Sequence, residues 1–220
     1  MAAELLIRLE SRVEQAAERC ARDPAAITLV AVSKGRSVEQ MMPLYEAGQR
    51  DFGENRSGEM AAKVPAMPGD IRWHFVGSLQ SRKANEIGAD TFLLHSMDRV
   101  SLARRWSRIT PQPPPCLLQV NLAMEPQKHG VEPSQIPARL DELADIGVRP
   151  AGLMIIPPVP DRPEDSRVWF RDLRQLRDHL APDYPDLAEL SMGMTDDFEV
   201  AVEEGATIIR VGRAIFEEKP

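Results

Sequence analysis

The chain has 220 residues, of which 43% are hydrophobic and 28% charged, and its formal net charge is −7. That length supports one domain with a substantial core, and the composition is too apolar for default disorder. The densest basic run, Ser81-Arg82-Lys83, reads as a solvated helix start, so the negative balance argues against nucleic acid as a main partner.

The first element is helical. Leu5, Leu6, Leu9, Val13, Ala16, Ala17 and Cys20 recur at three- and four-residue intervals, and Asp23-Pro24 is the expected stop. Ile27-Thr28-Leu29-Val30-Ala31-Val32 follows as an unbroken apolar run rich in β-branched residues, the pattern of a strand buried on both faces. Further short apolar runs fall at about 51–54, 72–76, 91–95, 116–122, 149–156, 187–191 and 206–211. Amphipathic stretches lie between them at about 38–47, 56–63, 80–88, 98–107, 133–146, 164–180 and 196–204, and Gly48, Gly88, Gly147 and Gly205 sit at C-cap positions. Eight strands alternating with helices predict a parallel sheet with right-handed crossovers, in the α/β class. The count favours a single (β/α)8 TIM barrel over residues 1–220 with an extra N-terminal helix, and a doubly wound open sheet is the alternative. Pro43 should kink its helix or delay its start. Pro111 to Pro115, with Pro157, Pro158 and Pro160, read as rigid surface connections.

Cys20 and Cys116 have no Cys-x-x-Cys partner or clustered His, so free thiols are expected and no metal site. Charges interrupt the N-terminus too early for a signal peptide and no apolar stretch approaches a membrane span, so a cytoplasmic location is expected.

Function in a βα barrel collects at the C-terminal ends of the strands. Lys34 follows strand 1 directly, and partial desolvation at an apolar rim would favour its neutral, nucleophilic amine. A lysine that simply reaches to water fits that position equally well. After strand 7, Thr195 is placed as the cap of the next helix, with a hydroxyl that a phosphate could use. After strand 8, Gly212 would let the backbone approach an anion, with the N–H groups of Gly212 and Arg213 opening a short last helix. Asp196 and Asp197 add opposing charge there. Alternation could turn Arg210 inward, where a ring nitrogen or a carboxylate such as Glu54 could accept from it. Asn55, at the end of strand 2, is either a neutral neighbour of Lys34 or a helix cap.

At these residues the sequence resembles the YggS/PROSC family of pyridoxal phosphate homeostasis proteins. The matching segments include Ala31-Val32-Ser33-Lys34, Phe52-Gly53-Glu54-Asn55-Arg56 and Trp73-His74-Phe75-Val76-Gly77-Ser78-Leu79-Gln80-Ser81. Others are His95-Ser96-Met97-Asp98, Gln119-Val120-Asn121 with Lys128, Gly152-Leu153-Met154, Leu190-Ser191-Met192-Gly193-Met194 and Arg210-Val211-Gly212. The resemblance implies a fold like the N-terminal barrel of alanine racemase and pyridoxal 5′-phosphate (PLP) as cofactor, held as a Schiff base on Lys34. It implies Arg210 against the pyridine nitrogen, Thr195 with the backbone at Gly212 and Arg213 around the phosphate, and Asn55 as a further contact. The chain departs from the family pattern at Gly35-Arg36, Ser78, Arg82, Arg213 and Glu217, and carries Thr195 in place of Ser.

An arginine at the pyridine nitrogen can only donate, which leaves that nitrogen unprotonated and the ring a weak electron sink. A racemase also needs a second acid/base and a water-excluding lid. The chain ends at Pro220, so no second domain is expected to supply them, and neither Tyr45 nor Tyr184 falls at a strand end. The expectation is therefore a non-catalytic, monomeric PLP carrier with apo forms of PLP-dependent enzymes as recipients. An amino-acid racemase and a cofactor-free Schiff-base aldolase are the alternatives.

Overall fold

The computed structural model describes residues 2–217; Met1 and residues 218–220, which the expected domain limits include, lie outside the described residues. Eight parallel strands close into a barrel in sequence order: β1 (Thr28–Val32), β2 (Asp51–Glu54), β3 (Arg72–Phe75), β4 (Thr91–Met97), β5 (Cys116–Val120), β6 (Gly152–Ile155), β7 (Glu189–Ser191) and β8 (Ile208–Val211). Closure runs through β1 and β8, with Thr28 opposite Ile208 and Ala31 opposite Val211. That pairing excludes the open-sheet alternative.

Helices α1 (Ala2–Arg19), α2 (Val38–Glu46), α3 (Ser57–Lys63), α4 (Ala84–Ile87), α5 (Val100–Trp106), α6 (Ile136–Ala144), α7 (Arg167–Leu180), α8 (Phe198–Glu203) and α9 (Arg213–Phe216) surround it. Their apolar stripes and the outward faces of the strands form one continuous core. A second, smaller cluster of Val30, Leu93, Leu117, Met154 and Ile208 is separate from it. These residues alternate with the outward ones along their strands, so they fill the barrel interior.

Several boundaries differ from expectation for identifiable reasons. The first helix ends at Arg19, before Asp23-Pro24, because Ala21 turns left-handed at φ 55°. Arg22 N–H then bonds to the Ala17 carbonyl (2.9 Å) and Ala21 N–H to that of Glu18 (3.1 Å), closing a Schellman motif without a glycine. Pro43 does not delay its helix: α2 starts at Val38 behind a Ser37–Gln40 capping box and runs through the proline. The stretch at 80–88 divides into a 3-10 turn (Ser81–Lys83) and the single turn of α4. Strand β6 begins at Gly152 and not at 149, since Pro150 has no N–H to give a ladder.

Both cysteines are free. Cys116 is buried on β5, where burial pushes its thiol up to about 12. Among the described residues no helix is long and apolar enough to cross a membrane, and no group of His, Cys, Asp and Glu could hold a metal ion.

A left-handed conformation costs an L-residue other than glycine about 1–2 kcal/mol. Ala21→Gly is therefore expected to stabilise the protein by about 1 kcal/mol, read as a higher urea midpoint at unchanged slope.

Candidate functional site

Lys34 lies at the C-terminal mouth of the barrel, directly beyond β1, and its side chain is exposed. The desolvation expected there is thus not seen; what holds the lysine is its backbone. On one side, the Ser33 carbonyl accepts from Lys63 Nζ (2.8 Å). On the other, Gly35 N–H donates to Glu59 Oε2 (2.7 Å), with Gly35 at φ +69°, where a side chain would be strained. Glu59 and Lys63 stand one helical turn apart on α3, so a single short helix grips both flanks of Lys34.

Lys63 is itself buried and donates to Glu54 Oε1, which also accepts from the Ser33 hydroxyl (2.7 Å). Burial pushes the Glu54 carboxyl up, and Lys63 and Ser33 only partly offset it. Glu54 therefore serves the Lys34 loop and is not the acceptor of Arg210, contrary to one sequence reading.

Arg210 does point inward from β8 and is 5% exposed. Its Nη1 donates to Ser191 Oγ (2.6 Å) and its Nη2 to the Ile155 carbonyl (2.9 Å). Burial pulls the guanidinium down to about 10, opposed by the charge of Asp197. It remains a cation at neutral pH, bonded only to neutral acceptors, and it lines the cavity at the mouth.

The loop after β7 corrects the reading of Thr195. Asp197, not Thr195, precedes the first residue of α8. The Thr195 hydroxyl makes no hydrogen bond among the described residues and lines the cavity. Both aspartates have partners at this end. Asp197 is buried and accepts from Met194 N–H (2.7 Å) and the Ser166 hydroxyl (2.7 Å), while Asp196 is ion-paired with Arg213. The main-chain N–H groups of Gly212 and Arg213 donate to no main-chain acceptor among the described residues. At Gly212 the backbone also packs close to β1: a Cβ there would lie 3.3 Å from the Val32 carbonyl oxygen.

Lys34, Asn55, Thr195, Arg210, Gly212 and Arg213 all line one cavity of about 640 Å³. Gly77 shapes its floor beside Asn55, where an added Cβ would fall 2.2 Å from the Asn55 carbonyl oxygen. Gln119, Asn121 and Lys128 line it too and were given no role from sequence. Gln119 Nε2 donates to the His129 carbonyl (3.0 Å), and Asn121 bonds both main-chain groups of Glu125, so the end of β5 holds the 122–130 loop beside the cavity. Two polar residues closing an otherwise apolar strand were the available signal.

Three of the charged residues that depart from the family pattern are ion-paired. Arg36 pairs with Glu217 and lies over the Phe216 ring (5.5 Å), and Arg213 pairs with Asp196. Tyr45 and Tyr184 are engaged elsewhere, with Asp70 (2.8 Å) and Asp141 (3.0 Å).

Removing Lys63 would leave Glu54 buried without its cation. Lys63→Met is expected to cost about 3–5 kcal/mol by chemical denaturation near pH 8. A carboxyl raised above its unfolded value is most favourable when protonated, so the deficit should shrink as pH falls toward about 5. A deficit that does not change with pH would refute this assignment for Glu54.

Residues 6–220 match the family model described as alanine racemase, N-terminal domain. The pyridoxal phosphate homeostasis protein of Aquifex aeolicus is 39% identical, over 99% of this chain and 98% of that protein. PipY of Synechococcus elongatus, solved without PLP, superposes with a TM-score of 0.87 at 37% identity, covering 98% of this chain and 100% of that one. The same protein solved with PLP bound superposes at 0.84 and 36% identity, with the same coverage. With the closed barrel and these full-length matches, the chain belongs to the pyridoxal phosphate homeostasis proteins of the alanine racemase N-terminal domain family.

Proposed function

We propose that this protein is a PLP carrier: one barrel domain over residues 1–220 that holds the cofactor in the mouth cavity as a Schiff base on Lys34 and gives it up without turnover. The observation that carries the reading is the donor set gathered in one cavity. An amine follows β1, a buried guanidinium comes from β8, and a free hydroxyl and main-chain N–H groups follow β7 and β8. These match, in kind, an aldehyde, a ring nitrogen and a phosphate. A cavity of about 640 Å³ falls in the range that encloses small ligands.

When bound, PLP supplies an aldehyde that condenses with a primary amine and releases water. Lys34 provides that amine from a backbone clamped on both sides. Its side chain is exposed at the mouth, so Lys34 would hold the cofactor within reach of water, as a carrier requires. Arg210 can only donate to the ring nitrogen, so it orients the ring without protonating it. Thr195 and the N–H groups of Gly212 and Arg213 bind the phosphate, with Arg213 also offsetting Asp196. Asn55 flanks Lys34 at the cavity wall.

Relatives that carry the name homeostasis protein support a role in binding and supply. In this reading the recipients are apo forms of PLP-dependent enzymes, and the protein works as a cytoplasmic monomer. A racemase would need an acid/base opposite Lys34. Lys128 and His129 are the titratable groups on the 122–130 side of the cavity, and they define the rival reading.

Adding PLP to cofactor-free protein should produce a visible absorbance band. Borohydride reduction should then fix PLP mass on the Lys34 peptide, and Lys34→Ala should lose both signals. Amino-acid racemisation should stay far below the 1–10³ s⁻¹ that is ordinary for enzymes, at under about 0.01 s⁻¹. Turnover within that range would replace the carrier by the racemase.

A further inference from the structure

Across the barrel interior runs a chain of side chains that the cavity itself does not account for. Arg210 Nη1 meets Ser191 Oγ at 2.6 Å, and Ser191 Oγ meets His95 Nδ1 at 2.8 Å. His95 Nε2 meets His74 Nδ1 at 2.9 Å, and His74 Nε2 meets Asp51 Oδ1 at 3.0 Å. Asp51 accepts in turn from Arg72 Nε (2.7 Å), whose side chain is half exposed. Asp51 and Arg72 line a second cavity, at the opposite end of the barrel from Lys34. Ser191, His95 and His74 are each no more than 1% exposed, so water does not compete for these contacts.

The two ends set the direction of the chain. Arginine has only donors, so Ser191 accepts from Arg210, and its single proton is available for His95 Nδ1. A neutral His95 then carries its proton on Nε2 and donates to His74 Nδ1. His74 likewise carries its proton on Nε2 and donates to the Asp51 carboxylate. The reverse order would give Ser191 two donors and turn a lone pair of His74 onto Asp51. Only an extra proton on His74 relieves that contact.

Burial, with His74 and Arg210 adding to it, holds His95 well below the ordinary imidazole value. Burial also pushes Asp51 up, but the hydrogen bonds from His74 and Arg72 outweigh it and leave the carboxyl below its usual value, able to accept. Asp197 acts on Arg210 through its charge from the loop after β7. The β4 register gains a residue between Leu94 and Met97, the segment that carries His95, and such irregularities re-aim a side chain.

We propose that Ser191, His95, His74 and Asp51 are positioning residues for Arg210, acting as one directed hydrogen-bond chain that ties its guanidinium to the Asp51–Arg72 pair at the far end of the barrel. Each imidazole accepts at Nδ1 and donates from Nε2–H. The chain occupies one edge of the guanidinium and so fixes which N–H groups face the mouth cavity. The effect on PLP rests on the carrier reading above, whereas the proton order does not.

Long-range nitrogen–proton NMR of the imidazoles in cofactor-free protein tests the order directly. Both histidines should carry a proton on Nε2, and His95 should stay neutral between about pH 6 and 8, where a free imidazole would titrate. A neutral Nδ1–H tautomer at either histidine, or an imidazolium at His95 in that range, overturns the proposal. The effect on Arg210 is tested by His95→Leu, which cuts the chain, and His95→Gln, whose amide can accept from Ser191 and donate to His74. His95→Leu should weaken PLP binding about tenfold, or about 1.4 kcal/mol, and shift the visible band. His95→Gln should restore both to near the starting values. Equal affinity and an unshifted band in His95→Leu would also overturn the proposal. If unaltered protein binds no PLP, the carrier reading fails and the tautomers alone decide this one.

Discussion

Pairing of β1 with β8 is the constraint on which the site depends. Parallel strands joined by right-handed crossovers place all their C-terminal ends at one rim, but an open sheet would leave its first and last strands far apart. Closure sets Ala31 opposite Val211. Lys34, a few residues past one, and Gly212, next to the other, then share a wall. The same closure brings the β7 loop alongside, so an amine, a hydroxyl and free N–H groups from opposite ends of the chain line one cavity.

A closed barrel is also a costly place for charge, and this one holds charge in two different ways. Lys63 and Glu54 form a direct buried pair whose cation also reaches the Ser33 carbonyl, so desolvation is offset locally and the loop bearing Lys34 is held as a by-product. Arg210 has no carboxylate in contact. Its guanidinium is satisfied by a serine and a carbonyl, and the nearest carboxylate along its hydrogen-bond chain is Asp51, beyond two histidines. A buried cation with neutral partners retains donor capacity toward the cavity, which a salt-bridged one would have lost. The Lys34 side chain is exposed while hydrogen bonds hold the backbone on either side of it, and the Arg210 side chain is buried and bonded.

Charged positions outside the family pattern illustrate how such changes are absorbed. Arg36 and Glu217 are far apart in sequence and form one ion pair beside the mouth, while Arg213 takes up Asp196. Arg36, Glu217 and Arg213 each have an opposite neighbour, whereas Arg82 bonds to Gln80. The phosphate end therefore keeps the free N–H groups of Gly212 and Arg213 without a net gain of negative charge.

Much of this protein could be read from periodicity. Eight apolar runs with helices between them specify the strand count, and the run through Val30 and Ala31 announces burial on both faces, because side-chain direction depends only on local backbone geometry. Strand ends then pick out Lys34, Asn55, Thr195, Arg210 and Gly212. Other features depend on distant neighbours and left no local trace. Lys63 looks like an ordinary basic residue ending a helix, yet its partners are the Ser33 carbonyl and Glu54. Thr195 fits a cap by residue type, but the turn closes on Asp197 because Ser166, from a remote segment, reaches that carboxylate. His74, His95 and Ser191 lie on strands β3, β4 and β7, and only barrel closure brings them into one chain. Short-range pattern specifies the elements and the strand ends that carry chemistry. The tertiary structure alone decided which polar groups face one another, since hydrogen-bond partners inside a closed barrel are chosen by proximity across it and not along the chain.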